Sequence, residues 1–139
     1  MIAAYLDASV ILRVILQSPD PLPEWDFIAF SVSSALLKVE CYRTIERMWH
    51  THELSDSEAA AKRAKVDQML RNVQLRSIEP SILARAAEPF PSYIATLDAI
   101  HLATAVVYRE ERPILFATHD KQLAKAAAAL HFDVVGVAA

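Results

Sequence analysis

The sequence predicts an α/β fold in which a central parallel sheet of five strands is flanked by helices. Short apolar runs alternate with stretches of helical periodicity along all 139 residues, and this alternation favours parallel strands joined by right-handed crossovers. Apolar residues make up 54% of the chain and its mean hydropathy is +0.22, which supplies a core for both faces of a sheet. Because no repeat, low-complexity segment or change of composition divides the chain, residues 1–139 are expected to form one domain.

The first half of the chain is expected to contain two strands followed by a helical hairpin. A buried run, IAAYL, ends at Asp7, and Ser9 is expected to cap the helix that follows. Ser55 and Glu58 have the S-x-x-E spacing of a capping box, which begins the second helix of the hairpin. In order, the predicted elements are a strand over 2–6, a helix to Ile15, a proline-marked loop over 18–23, a strand over 27–32, a helix from Ser33 or Ser34 to about His50, and a helix from Ser55 to about Arg71.

The second half is expected to add three strands and three helices, with two of the helices in succession after the first of these strands. Its strands are short apolar runs bounded by polar residues or prolines. In order, the predicted elements are a strand over 73–78, a short helix from Ser81, a helix from Leu97 to about Arg109, a strand over 114–118, an alanine-rich helix from Asp120 to Leu130, and a strand over 132–137.

Four acidic residues occupy positions where this fold gathers side chains. In open parallel sheets, ligands lie beyond the carboxyl ends of the strands, where the strand order reverses. Asp7 follows the first strand and Asp120 the fourth, so the two face one crevice if these strands are neighbours. Glu40 and Asp98 lie on helices among apolar residues, where a carboxylate needs a partner. Taken singly, each acid is also explained as a turn, cap or solvated helix residue.

Carboxylates brought this close need a positive counter-charge, because each raises the pKa of the others. Oxygen ligands without matching histidine or cysteine favour Mg²⁺ or Mn²⁺, ions suited to phosphoryl transfer by metal-bound water. Ser9 and Thr118 flank two of the acids and have hydroxyls for hydrogen bonding, although capping explains both equally well. Arg43 is placed either to pair with Glu40, to contact a substrate phosphate, or to form a plain i,i+3 ion pair.

The composition excludes several classes of function. A single glycine, Gly136, rules out glycine-rich dinucleotide and Walker A loops, and a single Cys41 rules out an intramolecular disulfide and a cysteine-rich zinc site. The net charge of −3 gives no general attraction for nucleic acid, so an anionic substrate must be held locally. No apolar run reaches the length of a membrane span and no signal peptide is evident, so a cytoplasmic location without membrane association is expected.

Four motifs together resemble those of PIN-domain ribonucleases, and among them the VapC-type toxins of bacterial toxin–antitoxin pairs. They are the strand ending in Asp7 with Ser9 two residues later, Glu40 in VECYR with Arg43 after it, Asp98 in LDAIHLATA, and Thr118-His119-Asp120 after a short strand. LDAIHLATA is the most specific of the four, and the likeness extends from residue 2 to about residue 137. One departure is His131, which stands after the last helix where family members often have glycine.

The resemblance implies a Mg²⁺- or Mn²⁺-dependent endoribonuclease with a single PIN-like domain. Asp7 and Asp98 would be the most direct metal ligands, and Glu40 and Asp120 would complete the site directly or through water. It also implies an RNA substrate, a cognate antitoxin protein and a homodimer. Two alternatives stay open from the residues: a non-catalytic PIN-like binding module, and a metal-dependent phosphatase or phosphotransferase, although the first strand is followed by DAS and not by the D-x-D of an aspartate nucleophile.

Overall fold

The computed structural model describes residues 2–16 and 22–137, and it confirms the predicted fold class. Five strands form one sheet in the order β3-β2-β1-β4-β5, and every pair of neighbours is parallel. The loop predicted over 18–23 falls mostly outside the described residues. In chain order the elements are β1 (Ile2–Leu6), α1 (Ala8–Ile15), a 3₁₀ turn (Trp25–Phe27), β2 (Ile28–Ser34), α2 (Leu36–His50), α3 (Asp56–Leu70), β3 (Val73–Arg76), α4 (Pro80–Ala86), α5 (Thr96–Glu111), β4 (Leu115–Ala117), α6 (Lys121–Ala129) and β5 (Val134–Val135).

Helices cover both faces of the sheet because side chains alternate along each strand. On β1, Ala4 and Leu6 belong to a core shared with α1, α2 and α3, whereas Tyr5 belongs to a core shared with α5 and α6. On β4, Ala117 and Phe116 divide between the same two cores. The helices α2 and α3 pack against each other as the predicted hairpin, and none of the helices in the described ranges is long and apolar enough to span a membrane.

Several element ends differ from the sequence predictions. Asp7, not Ser9, caps α1, since the Asp7 side chain accepts the Ser9 backbone N–H at 3.1 Å. The second strand continues through Ser34, so neither Ser33 nor Ser34 is the cap residue of α2, although Ser34 Oγ accepts the Leu36 N–H at 3.1 Å. The capping box of Ser55 and Glu58 is confirmed.

The chain turns sharply after α6, and His131 lies at this turn. His131 has φ of +68°, the left-handed conformation that glycine adopts most easily. Only Val134 and Val135 then pair with β4, so the last strand is shorter than the predicted 132–137. Gly136 follows at φ of +107°, and a Cβ atom there would lie 2.2 Å from the carbonyl oxygen of Thr118, so the glycine lets the chain pass close to the end of β4.

Candidate active site

The strand order reverses between β1 and β4, and this brings Asp7 close to the segment of Asp120. The chain leaves β1 toward β2 on one side, whereas β4 lies on its other side and pairs with it directly. Asp7 follows β1 and Asp120 is the N-cap of α6, accepting the Leu123 N–H at 3.0 Å. The sequence analysis expected Asp7 and Asp120 to face one crevice if the first and fourth strands were neighbours. The two strands are neighbours in the structure.

Two hydroxyl groups hold the Asp7 carboxylate in place, one from Ser9 on α1 and one from Thr118 just after β4. Ser9 Oγ donates to Asp7 Oδ1 at 2.5 Å, and Thr118 Oγ1 donates to Asp7 Oδ2 at 2.8 Å. The same hydroxyls accept backbone N–H groups from the turn after β4: His119 N–H donates to Ser9 Oγ at 2.8 Å and Asp120 N–H to Thr118 Oγ1 at 3.0 Å. Ser9 and Thr118 thus link the two strand ends while orienting Asp7.

Burial dominates the electrostatics of Asp7. The side chain is 6% exposed, and removal from water raises the pKa of its carboxyl group, while the hydrogen bonds from Ser9 and Thr118 oppose that change. His101 also lowers the pKa and Glu40 raises it, so both are close enough to influence Asp7. The donors on both oxygens fix the orientation of this buried carboxyl group.

Asp98 lies in the first turn of α5, and the charges of all three other acids raise the pKa of its carboxyl group. Burial is the largest cause of its raised pKa, and the negative charges of Asp120, Asp7 and Glu40 raise it further, whereas His101 lowers it. The structure therefore brings the four predicted acids into one electrostatic cluster. Adding a cation to such a cluster relieves the mutual repulsion that raises the pKa of Asp98.

Glu40 is hydrogen-bonded to His101, a residue that the sequence analysis did not assign to the site. His101 Nε2 lies 2.5 Å from Glu40 Oε1, and His101 Nδ1 lies 2.6 Å from the hydroxyl of Tyr5. His101 is 1% exposed and Tyr5 is fully buried; burial raises the pKa of the Tyr5 phenol well above its ordinary value, so the phenol keeps its proton. A signal for His101 existed in the sequence, because it follows Asp98 at i+3, on the same side of α5.

Arg43 does not pair with Glu40. Its guanidinium bonds instead to Glu46, a partner that the sequence analysis did not name, and its side chain is 71% exposed. Because α2 turns Arg43 toward solvent, it is not part of the bonded network that holds the acids in this structure.

The donor set fits a hard divalent cation in chemistry, although the side chains do not form a ready-made metal cage. All four acids supply oxygen atoms, the ligands preferred by Mg²⁺ and Mn²⁺, and the repulsion felt by Asp98 is the kind that a cation relieves. Within residues 2–16 and 22–137, no group of three or more histidine, cysteine or acidic side chains is close enough to hold a metal ion as the side chains stand. Mg²⁺ commonly keeps several water ligands and needs only one or two carboxylates from the protein.

Comparison with known proteins places this fold in a family. The PIN domain family model matches residues 4–129. The chain is 32% identical over 108 residues to Ribonuclease VapC46 of Mycobacterium tuberculosis (strain ATCC 25618 / H37Rv), an alignment that covers 76% of this chain and 75% of that protein.

Two solved structures share the fold at low sequence identity. FitAcB from Neisseria gonorrhoeae superposes with a TM-score of 0.69 at 17% identity, covering 94% of this chain and 95% of that one. VapBC2 from Rickettsia felis, bound to a DNA fragment from its promoter, superposes with a TM-score of 0.68 at 10% identity, covering 96% and 97%. The similarity therefore extends over nearly the whole fold.

Proposed function

Since the chain belongs to the PIN domain family, we propose that it is a Mg²⁺- or Mn²⁺-dependent endoribonuclease that acts as the toxin of a toxin–antitoxin pair. The observation that carries this proposal is the gathering of Asp7, Glu40, Asp98 and Asp120 beyond the carboxyl end of the sheet. The similarity to Ribonuclease VapC46 supports the reaction class.

Asp7 and Asp98 would hold the ion most directly, with Glu40 and Asp120 completing the site. When bound, a divalent cation lowers the pKa of water for attack on an RNA phosphodiester and stabilises the charge on the leaving oxygen. Asp7 is suited to its role because Ser9 and Thr118 hold both of its oxygens in place before any ligand arrives. Asp98 is suited because the repulsion it feels from the other acids favours binding of a cation there.

The proposed partners are an RNA substrate, a cognate antitoxin protein and a second copy of the chain. The antitoxin is supported by the structural neighbours, one of which is described as a toxin–antitoxin complex from Klebsiella pneumoniae, with a TM-score of 0.57. The homodimer is supported by exposed apolar side chains near the start of α5: Leu83 is 48% exposed, Tyr93 85% and Leu97 48%. Sedimentation at increasing protein concentration tests the dimer, and a monomer at high concentration would contradict it.

The test of the catalytic proposal is metal-dependent cleavage of total RNA by purified protein in Mg²⁺, Mn²⁺ or EDTA. We expect discrete fragments from the wild type with either metal and none in EDTA, and we expect Asp98→Asn to abolish cleavage with the fold intact by circular dichroism. The matched control is Asp133→Asn, which makes the same chemical change at an exposed position. Asp133 precedes β5 and so lies at the amino end of a strand, whereas the four acids lie beyond the carboxyl ends.

Cleavage that persists unchanged in Asp98→Asn would contradict the assigned site. Failure of the wild type to bind Mn²⁺ or to cut any RNA would favour the non-catalytic binding module. Thermal unfolding with and without Mn²⁺ distinguishes a metal-binding nuclease from a non-catalytic module. A ligand at 100 times its Kd adds about 2.7 kcal/mol to the free energy of unfolding, so only a protein that binds Mn²⁺ should be stabilised by it.

A further inference from the structure

Glu40 is the outer end of a buried chain of three polar side chains. Tyr5 on β1 contacts His101 on α5, and His101 contacts Glu40 on α2, through separations of 2.6 Å and 2.5 Å between the bonded atoms. The exposed fraction rises along the chain, from 0% for Tyr5 and 1% for His101 to 22% for the Glu40 side chain. The chain therefore joins the interior of the sheet to the acidic site.

The identities of these groups set the direction of the hydrogen bonds. His101 Nε2 faces Glu40 Oε1 at 2.5 Å, and because a carboxylate oxygen is an acceptor, the two atoms are matched when Nε2 carries the ring hydrogen. In the neutral ring Nδ1 is then an acceptor, and the group beside it is the Tyr5 hydroxyl, which has one hydrogen to donate. The order is Tyr5 to His101 to Glu40, with every donor matched to an acceptor.

Aromatic packing holds this chain in position. The Tyr5 ring stacks on Phe116 of β4, with centroids 5.3 Å apart and planes at 15°, and it meets the His101 ring edge-on at 5.7 Å. Because His101 is enclosed, water does not compete for its nitrogen atoms. The orientation of the imidazole is therefore determined by the core and not by solvent.

We propose that Tyr5 and His101 are positioning residues that fix Oε1 of Glu40 through this relay and leave Oε2 for the metal ion of the proposed nuclease. Ligand-orienting hydrogen bonds of this kind commonly affect metal affinity by about 10- to 100-fold. The inference rests on the proposed function for the role of Glu40, but the relay itself is a property of the protein without metal.

The first test reads the relay without metal or substrate. Long-range ¹H–¹⁵N correlation spectra of the ¹⁵N-labelled protein in EDTA report which nitrogen of each histidine ring carries hydrogen, and His101→Gln identifies the His101 signals by their loss. A neutral ring protonated at Nε2 alone supports the relay. A ring protonated at Nδ1 alone, or at both nitrogens, overturns the donor role of Tyr5.

The second test compares two buried tyrosines for Mn²⁺ affinity by isothermal titration calorimetry. Tyr5→Phe removes the hydroxyl that faces His101, whereas Tyr108→Phe removes a hydroxyl in the same core that donates to the backbone carbonyl of Gln74 at 3.3 Å. We expect Tyr5→Phe to weaken Mn²⁺ binding by about 10-fold and Tyr108→Phe to leave it unchanged. Equal affinities for the two variants would overturn the positioning role.

Variants at His101 show whether the donated hydrogen matters. His101→Leu removes the donor to Glu40, and we expect the larger loss of Mn²⁺ affinity from it. His101→Gln retains an N–H on a side chain of similar reach and should recover part of that loss.

If wild-type protein binds no Mn²⁺, the metal in the proposed function is wrong, and the ring protonation measured in EDTA still decides the relay. If wild type cleaves RNA and all these variants match it in Mn²⁺ affinity, the relay role is wrong and the proposed function stands.

Discussion

The two faces of the sheet are packed with different chemistry. The face covered by α1, α2 and α3 buries a cluster of apolar side chains, among them Leu37, Cys41 and Ile45. The face covered by α5 and α6 buries apolar residues too, but it also encloses the bonded pair of Tyr5 and His101. Since buried polar groups cost free energy unless bonded, the second face carries a constraint that the first does not.

This difference separates two tasks of the fold. The apolar face holds the helical hairpin on the sheet, and the polar face connects the core to the acids beyond the strand ends. Substitutions of buried apolar residues on either face should therefore act on stability, whereas substitutions of the bonded pair Tyr5 and His101 should act on the site as well.

The largest effect on stability is expected from Ile45→Ala. Ile45 is 0% exposed on α2, and removing its side-chain carbons leaves a cavity, so the free energy of unfolding should fall by about 2–5 kcal/mol. Urea denaturation of metal-free protein measures this. The matched control is Val39→Ala on the same helix, where the side chain is 55% exposed and little change is expected. A loss at Ile45 no larger than at Val39 would show that α2 is not held by this core.

A smaller change, an increase in the free energy of unfolding, is expected from Asp98→Asn in EDTA. Burial and the neighbouring acids raise the pKa of Asp98 in the folded protein, so this group contributes stability that is fully present below its unfolded pKa of about 3.9 and is lost as pH rises through its folded pKa. At pH 7 the asparagine variant should unfold at a higher temperature than wild type.

The pH dependence and the metal dependence check that explanation. The advantage of Asp98→Asn should shrink as pH falls through the range between the two pKa values, because the wild-type carboxyl group is then protonated in both states. Excess Mn²⁺ should reverse the order, since the wild type would gain more from binding. An advantage that is equal at pH 4 and pH 7, or that Asp133→Asn reproduces, would contradict the electrostatic cause.

Local patterns were enough to predict the parallel sheet. Strand and helix periodicities are properties of neighbouring residues, and their alternation predicts parallel strands. The strand order is not a local property, so the meeting of Asp7 and Asp120 was predictable only on the condition that β1 and β4 are neighbours, which they are. The capping box at Ser55 was predictable because both of its residues lie within four positions. Asp7 and Ser9 are two capping residues that stand two positions apart, and only the backbone conformation of Asp7 decides between them.

The relay was not predictable, because it joins residues 5, 40 and 101 from three elements. Which side of α5 faces β1, and how far α2 lies from it, depends on packing that no local pattern specifies. Arg43 illustrates the same limit: Glu40 and Glu46 are both within one helical turn of it, and the helix orientation in the fold favours Glu46. The metal-binding role of the acids stays a prediction for the experiments above.

The smallest change, close to none, is expected when native protein is treated with a thiol reagent. Cys41 is 0% exposed on the apolar face, and burial, with the charges of Glu40 and Asp7 adding to it, raises the pKa of its thiol to about 12. At pH 8 only about one thiol in 10⁴ would be ionised. Labelling of the thiol, followed by absorbance, should therefore be negligible in folded protein and rapid in guanidinium chloride.

Ile45→Ala should accelerate labelling, because a less stable fold exposes Cys41 more often. Rapid labelling of the folded wild type would show that the apolar face is open at α2 and would remove the contrast between the two faces.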